Sequence, residues 1–569
     1  MTRIAIIDKE LCNFKKCQYP CMKACPKNRS GEKCISVGAE GFPAVEEGIC
    51  MGCGLCVKKC DFKALEIINL PEALSENPIV QFGKNSFRLY RLPTPVKGVV
   101  GLLGENGTGK TTALRILSGA VKPNLGNFTG EISWKEIIKA YRGNEIQKYL
   151  ELLAEGKLKT VYKPQQVDLL TKKFSTLDEL KINPSIMEKL GIDPQKKELA
   201  TLSGGELQKI SIASALSCEA DIYYLDEPSN FLDVRERLRV AKFIREFSAE
   251  RSVMVVEHDL ATLDYMADFI HILYGSPGAF GVVSKPYASK QGINTFLSGF
   301  VKEDNVRIGE PISFEASFQQ KSFSEALVNF GNIKKTLGNF ALEVEDGKIF
   351  KGETLGIFGS NALGKTTFAK ILAGQIESES WTDKQLRISY KPQYLTSMDF
   401  QGTVYEMLSA VRSMTDSEFM VVLNRMGLEK LLFKSVKNLS GGELQRVAIA
   451  ACLGREADLY LMDEPSAYMD VKQRMVLAKL LRNSGKTFAI IDHDIMFLSY
   501  VSDRCLLFSG ESGKFGHAHF ANLKVGLNSF LKELVITFRR DEESKRLKAN
   551  KPDSVKDREQ KSSGEYFEL

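Results

Sequence analysis

"GENGTGKTT", Gly104 to Thr112, returns 255 residues later as "GSNALGKTT", Gly359 to Thr367. A glycine-rich turn that ends in Gly-Lys-Thr and opens a helix is a phosphate cradle. Its glycines let backbone N–H groups turn inward onto phosphate oxygens, its lysine reaches the β- and γ-phosphates, and its threonine hydroxyl ligates magnesium. Each copy follows an apolar strand ("VKGVVGLLG" in the first) and precedes a helix ("KTTALRILSG"). Gly104, Asn106, Gly107, Gly109, Lys110, Thr111 and Thr112 are therefore nucleotide-binding candidates, as are Gly359, Asn361, Gly364, Lys365, Thr366 and Thr367.

More of the chain repeats in the same order. "LSGGELQK" from Leu202 returns as "LSGGELQR" from Leu439, "LDEPSNFLDV" from Leu225 as "MDEPSAYMDV" from Met462, and "VEHD" from Val256 as "IDHD" from Ile491. Two similar α/β domains of about 220 residues each follow from that order. Each carries an apolar strand that ends in Asp-Glu. The first carboxylate (Asp226, Asp463) suits the magnesium shell, and the second (Glu227, Glu464) can polarise the attacking water. The Ser-Gly-Gly turn that opens the next helix (Ser203, Gly204, Gly205; Ser440, Gly441, Gly442) presents backbone donors to an anion. A domain that already owns a phosphate cradle has no use for a second anion site on the same nucleotide. A head-to-tail pair, with ATP held between one copy's cradle and the other's Ser-Gly-Gly, is the expected arrangement.

The copies differ in length between cradle and "KPQ": 55 residues from Lys110 to Gln165, but 28 from Lys365 to Gln393. The extra segment, near 126–156, reads as two short amphipathic helices joined near Gly143. From Lys122 to Lys163 it carries eight Lys or Arg against five Glu, with Trp134, Tyr141 and Tyr149 able to pack the helices or stack on bases. Two polar stretches, from about Tyr274 to Lys302 and from about Ile536 onward, are expected to be connectors lying over the domains.

Nine of the twelve cysteines lie between Cys12 and Cys60. They form Cys12-x4-Cys17-x3-Cys21-x3-Cys25-Pro26 and Cys50-x2-Cys53-x2-Cys56-x3-Cys60, with Cys34 left over as a buried thiol. Two fours at this spacing match a ferredoxin-like pair of 4Fe–4S clusters, in which the fourth cysteine of each run crosses to the other cluster. Zinc in two four-thiolate sites is the alternative, to which C-x2-C-x2-C-x3-C is poorly suited. Crossing groups Cys12, Cys17, Cys21 and Cys60 on one cluster and Cys50, Cys53, Cys56 and Cys25 on the other. Lys15, Lys16, Lys58 and Lys59 would offset the cluster charge. The remaining Cys218, Cys452 and Cys505 sit in apolar surroundings and read as small buried hydrophobes.

Composition sets the outer limits. The 569 residues exceed one core, and a net charge of +6 permits an acidic partner without requiring one. "MTRIAIIDKELC" meets Asp8 before any long apolar run, and no run reaches the roughly 18 residues that span a bilayer, so neither a secretory signal nor a membrane segment is expected.

Together the cradles, Asp-Glu strands and "LSGGE" turns resemble the ATP-binding cassette superfamily over residues 75–530. The resemblance implies that Gln165 and Gln393 sense magnesium and the γ-phosphate, that His258 and His493 are switch residues, and that Lys110 pairs with Ser440 and Lys365 with Ser203 in two composite ATP·Mg sites. Ferredoxin-like clusters ahead of fused cassettes resemble the ABC-E class, the ribosome-recycling ATPases also called RNase L inhibitors. That class implies 1–74 as the iron–sulfur domain, 75–300 and 301–535 as the cassettes, 536–569 as a hinge tail, and a helix-loop-helix insertion. It also implies splitting of ribosomes after termination or stalling, with the small subunit and its rRNA, a class-one release factor or Pelota, and initiation factors as partners. A cytoplasmic monomer follows, with the nucleus as a second compartment. Adenine would stack on the rings at the matching places, Phe82 and Phe330. Three departures from the class stand out. Asp61 follows Cys60 where proline is usual, which loosens the turn. Ala362 replaces the glycine found at Gly107, which asks for a different backbone angle. Lys209 stands where the second copy has Arg446.

Overall fold

The computed structural model describes residues 2–38, 41–70, 77–196, 198–314, 323–378, 386–393 and 400–568. Contacts divide the chain into two units, Met1–Phe231 with Arg239–Pro311, and Leu232–Leu238 with Ile312–Leu569. The boundary expected at 74 falls in 71–76, outside the described residues.

The first unit begins with a small cysteine-rich fold. Strand β1 (Thr2–Ile7) and, after two short strands β2 (Ile35–Val37) and β3 (Pro43–Val45), strand β4 (Leu65–Leu70) pair antiparallel from Thr2↔Leu70 to Ile7↔Leu65. Their inner face, with Ala5, Ile7, Ile35, Val45 and Leu65, closes over Cys21, Cys25, Cys34 and Cys56. Gly52 in "CMGCGLC" packs hard on β1: a Cβ there would come within 2.6 Å of the Arg3 carbonyl oxygen. Only glycine fits that approach.

The cassette sheet of this unit has the order β5 (Val80–Gln81), β6 (Arg88–Tyr90), β12 (Phe280–Ala288), β11 (Phe269–Ser276), β7 (Gly98–Gly104), β10 (Ser252–Val256), β9 (Ile222–Asp226), β8 (Thr160–Lys163). Strands β8, β9, β10, β7 and β11 run parallel, and their near-continuous apolar sequences are those of a sheet covered on both faces. The stretch expected to begin a connector at Tyr274 instead lies inside β11. It turns at Ser276–Phe280 and returns as β12, so alternating apolar residues take it into the sheet. The tip of this hairpin docks on the phosphate loop, where Gly278 N–H donates to Gly107 O at 3.0 Å. A short pair, β13 (Phe300–Val301) and β14 (Val306–Arg307), follows.

The insertion forms helices Trp134–Ala140 and Gln147–Ala154, with Gly143 in the left-handed region (φ 82°) at the joint. Ser133 and Glu136 make a reciprocal capping box on the first helix. Ile137, Ile146 and Leu150 are buried in the cassette core. Tyr149 Oη donates to the carbonyl of Leu117, the last residue of the helix Lys110–Leu117, and lies 2.6 Å from Tyr224 Oη on β9. Tyr149 is thereby committed to packing and unavailable to stack on a base. Lys163, one of the eight basic residues counted across the segment, is also buried, and seven exposed ones remain.

In the second unit, β15 (Ala326–Phe330) pairs with β18 (Gly347–Phe350). The main sheet has the order β16 (Ile333–Leu337), β17 (Phe340–Val344), β24 (Phe515–Asn522), β23 (Arg504–Glu511), β19 (Thr354–Phe358), β22 (Phe488–Ile491), β21 (Leu459–Asp463), β20 (Ile388–Lys391). Strand for strand this is the first sheet again. The C-terminal stretch, expected to be a connector lying over the domains, is well packed. Strands β25 (Phe538–Arg540) and β26 (Leu547–Ala549) and the helix Val555–Ser563 bury Phe538, Arg546, Asn550 and Phe567. No helix among the described residues is long and apolar enough to cross a membrane.

A bidentate ion pair fastens the cysteine fold to the first cassette. Arg88 Nη2 and Nη1 donate to Glu47 at 2.6 and 3.1 Å, and Asn85 Nδ2 donates to the same carboxylate at 3.1 Å. The Arg88 side chain is 6% exposed and that of Glu47 29%. Removing only the acid strands a buried guanidinium, so Glu47→Gln should cost about 3 kcal/mol and Arg88→Met less. Hydrogen exchange across residues 41–50 and 80–90 measures both. Equal effects would show that the charge is not what holds the contact.

Candidate active sites and cysteine clusters

Each phosphate loop is set by its first lysine. Lys110 Nζ donates to the carbonyls of Gly104 (2.9 Å) and Glu105 (2.7 Å), and Lys365 Nζ to those of Gly359 (2.8 Å) and Ser360 (2.6 Å). Burial pushes the Lys365 ammonium down to about 8. Gly107, Gly109 and Gly364 lie in the left-handed region, and so does Ala362, at φ 58°. The Cβ at Ala362 therefore has not changed the backbone angle. The second loop keeps the first loop's geometry and carries the strain.

The magnesium candidates converge. Thr366 Oγ1 donates to Asp463 Oδ2 at 2.7 Å, and Thr111 bonds Asp226 in the same way. Burial, helped by the neighbouring glutamate, raises both aspartates, Asp463 to about 6. A carboxylate buried beside another carboxylate is unhappy without a cation, so these residues fit Mg2+. The glutamates are treated in the opposite way. Burial pushes Glu227 up, but the His258 imidazole, the Lys110 ammonium and the Gln165 amide outweigh it and leave the carboxyl at about 2. Gln165 Nε2 donates to Glu227 at 2.9 Å and Gln393 Nε2 to Glu464 at 2.6 Å. His258 and His493 each approach the glutamate of their own copy at 3.4 Å. An ionised carboxylate held between an amide and an imidazole can orient and polarise a water.

The Ser-Gly-Gly turns cap their helices. Ser203 Oγ accepts the N–H of Glu206 at 3.3 Å while Ser203 N–H donates to Glu206 at 3.0 Å, and Ser440 and Glu443 repeat the box at 3.4 and 2.7 Å. Gly204, Gly205, Gly441 and Gly442 form the first turns. Lys209 Nζ reaches Gly191 O at 3.1 Å and Arg446 Nη1 reaches Met426 O at 2.9 Å, so both tie down the loop before their helix despite the change of side chain.

One ring assignment fails. Phe330 is 5% exposed and packs edge-on against Phe368 in the second core, so it offers no face to a base. Phe82 is exposed. The rings that lie against the last glycine of each loop are Phe87, before β6, and Phe340, at the start of β17. They come within 2.7 and 3.0 Å of where a Cβ on Gly109 and Gly364 would sit. Their place beside topologically equivalent strands, rather than a match of neighbouring letters, identifies them.

The cysteines sort into two groups. Cys12, Cys17, Cys21 and Cys60 interact with one another, and burial, reinforced by these thiols, pushes Cys12 and Cys21 up to about 11. Cys25, Cys50, Cys53 and Cys56 line a narrow cleft, bordered also by Cys34 and Ile35. These are the two sets that crossing requires. Four thiols in an apolar cleft cannot ionise together without a positive core, so the donor set fits an iron–sulfur centre. Backbone donors already face the sulfurs: Ala5 N–H points to Cys50 Sγ (3.4 Å) and Ala64 N–H to Cys60 Sγ (3.4 Å). Lys15, Lys16, Lys58 and Lys59 are exposed around them, and Lys63 N–H closes the turn after Cys60 onto its carbonyl at 3.1 Å, so Asp61 does not leave it open. Cys34 is buried, as are Cys452 and Cys505, but Cys218 is exposed at a helix end and is no core residue.

Comparison with known proteins bears on all of this. Residues 92–230 and 342–467 match the family described as ABC transporter, and residues 2–33 the family described as a possible Fer4-like domain in RNase L inhibitor. An uncharacterized ABC transporter ATP-binding protein of Methanocaldococcus jannaschii is 47% identical over 99% of this chain and 97% of its own length. Translation initiation factor RLI1 of Saccharomyces cerevisiae is 41% identical over 100% of this chain and 98% of its own. The solved structure titled "Model of ribosome-bound archaeal Pelota and ABCE1" contains a chain 45% identical, with TM-score 0.94, covering 100% of this chain and 99% of that one.

The strain at Ala362 sets a test. Left-handed alanine costs about 1–2 kcal/mol, offset partly by the chain entropy that glycine loses on folding. Ala362→Gly should therefore stabilise the second cassette by up to about 1 kcal/mol, while Gly107→Ala destabilises the first by about 1–2. Denaturant titration of each variant, with ATP binding as control, reads the asymmetry. A destabilising Ala362→Gly would mean the loop is not strained there.

Proposed function

This chain belongs to the RNase L inhibitor family, the E class of ATP-binding cassette ATPases, and from that premise we propose that it is the ATP-driven factor that splits ribosomes into subunits after termination or stalling, with a link to initiation. It hydrolyses ATP with magnesium and carries iron–sulfur chemistry. The observation that supports the splitting role is a coupling. A cysteine fold built for clusters is clamped by Glu47–Arg88 onto the strand that follows Phe87 and so stands beside the first phosphate loop.

In this reading the phosphate loops with Lys110 and Lys365 take the β- and γ-phosphates. Thr111 with Asp226 and Thr366 with Asp463 hold magnesium, which neutralises phosphate charge when bound. Glu227 and Glu464 orient water, His258 and His493 fix those carboxylates, and Gln165 and Gln393 leave their glutamate for the γ-phosphate and metal. Phe87 and Phe340 receive the adenine. Closing of the cassettes brings Ser440 to the Lys110 site and Ser203 to the Lys365 site, and moves the iron–sulfur domain; hydrolysis resets both. Two 4Fe–4S clusters, one on Cys12, Cys17, Cys21 and Cys60 and one on Cys25, Cys50, Cys53 and Cys56, supply rigid four-point cross-links when bound. Anaerobically purified protein should contain about eight irons per chain. Zinc in their place would defeat the assignment.

The partners are the ribosome, chiefly its small subunit, a class-one release factor or Pelota, and initiation factors, met by a monomer in the cytoplasm with the nucleus as a second compartment. The domains divide at 74, 300 and 535. The insertion is the rRNA foothold: its apolar side is sunk in the cassette core while Lys135, Lys139, Arg142 and Lys148 remain exposed. Replacing Lys139 and Arg142 with Glu should weaken small-subunit binding and flatten its salt dependence, leaving intrinsic ATP binding intact. A subunit-splitting assay with ATP and release factor tests the whole reading. No splitting by the iron-loaded protein would overturn it, and unaltered binding by the double variant would remove the insertion from the contact.

A further inference from the structure

Glu227 and Glu464 sit in the left-handed region, at φ 46° and 48°, although neither is glycine. A side chain persists there only where its surroundings over-determine it, and such places cluster at working sites. Every peptide group around these residues is held. Glu227 N–H donates to Val256 O at 3.0 Å, and Glu464 N–H to Ile491 O at 2.7 Å. Their own carbonyls accept from Gln208 Nε2 (2.7 Å) and Gln445 Nε2 (2.6 Å), each on the helix that the Ser-Gly-Gly turn opens. The carbonyl just before the strained residue is held by a lysine. Lys163 Nζ donates to Asp226 O at 2.9 Å, and Lys391 Nζ to Asp463 O at 2.7 Å and Glu464 O at 3.1 Å.

Both lysines are 1% exposed. Each ends the strand that runs into "KPQ", two residues before Gln165 or Gln393, and each faces carboxylates: Asp226, Glu227 and Glu257 in the first copy, Asp463, Glu464 and Asp492 in the second. Burying an ammonium is expensive, and an apolar side chain of the same length would fill the space more cheaply. Both copies nonetheless place the charge at the same point. We propose that Lys163 and Lys391 are positioning residues for hydrolysis: each pins the peptide that precedes the strained glutamate and so aims its carboxylate at the attacking water. Because the same strand end carries the glutamine that bonds that carboxylate, a shift of the glutamine toward nucleotide also pulls on the lysine. The strand end thus ties nucleotide sensing to the aim of the glutamate.

The proposal rests on the reading of Glu227 and Glu464 as water-orienting groups, and the test separates the two. Lys163→Met with Lys391→Met, Lys163→Gln with Lys391→Gln, and Glu227→Gln with Glu464→Gln are compared as full-length, iron-loaded proteins for kcat, KM and thermal midpoint. A misplacement on the order of 1 Å costs about a hundredfold in rate, so the methionine pair should lose at least about tenfold in kcat with KM within about twofold. The glutamine pair keeps an N–H donor and should recover part of that loss, which a packing role would not do. If the methionine pair does not fold, the glutamine pair against the parent carries the test: a kcat below the parent's at unchanged KM supports the proposal, and parental turnover overturns it. Parental kcat in the methionine pair, or equal loss in both lysine pairs, also overturns it. Parental turnover in the glutamate pair would instead sink the reading of the glutamates themselves.

Discussion

Two consecutive carboxylates at the buried end of a strand are the constraint around which each cassette is organised. Asp226 and Glu227, like Asp463 and Glu464, must be dry enough to act on phosphate yet charged enough to be useful. Burial alone would neutralise them. The fold resolves this by giving the two acids different neighbours. The aspartate has a hydroxyl and a second carboxylate beside it and stays raised, while the glutamate has an imidazole, an ammonium and an amide and stays ionised. With the glutamate itself in the left-handed region, the two carboxylates meet different groups: the aspartate of the second copy takes the Thr366 hydroxyl, and each glutamate takes the amide of its glutamine. The phosphate loop, the histidine, and the glutamine with its lysine come from three strand ends beside the one that carries the acids, so the parallel sheet exists in effect to bring those ends to one edge.

The repetition of that edge makes departures from it informative. The cradle geometry is shared to the point that Ala362 accepts a glycine conformation. The insertion adds to the first copy without altering its strand order, and it joins the core through Ile137, Leu150 and Tyr149 rather than resting on it. A surface element fixed to the helix of the phosphate loop and to the strand that carries Asp226 has no slack relative to the nucleotide site.

The cradles, acids and "LSGGE" caps were legible because each is a local pattern with its own chemistry. What failed to show was nonlocal. Phe330 and Phe82 stood where letters align, but whether a ring faces a core or a loop depends on which strand it enters. The stretch from Tyr274 is rich in Gly and Pro and reads as loop, yet its glycines serve a tight hairpin and close contact with Thr108: a Cβ on Gly281 would lie 1.9 Å from the Thr108 carbonyl oxygen. Lys163 reads as surface charge because no sequence window tells that the lysine's acceptor is a backbone carbonyl 63 residues on, at the end of the next strand. Cys218 follows an apolar helix but lies past its last turn, in solvent.

The Glu47–Arg88 clamp has one further consequence. Should the cysteine fold leave its seat, the acid, 29% exposed while seated, has less water to regain than the arginine, which is 6% exposed. Either charge, left without its partner, has to be hydrated afresh or paired again. Unless another acid takes the place of Glu47, the displaced arrangement is the higher in energy. Lifting this fold off the cassette would therefore take work, and reseating it would not.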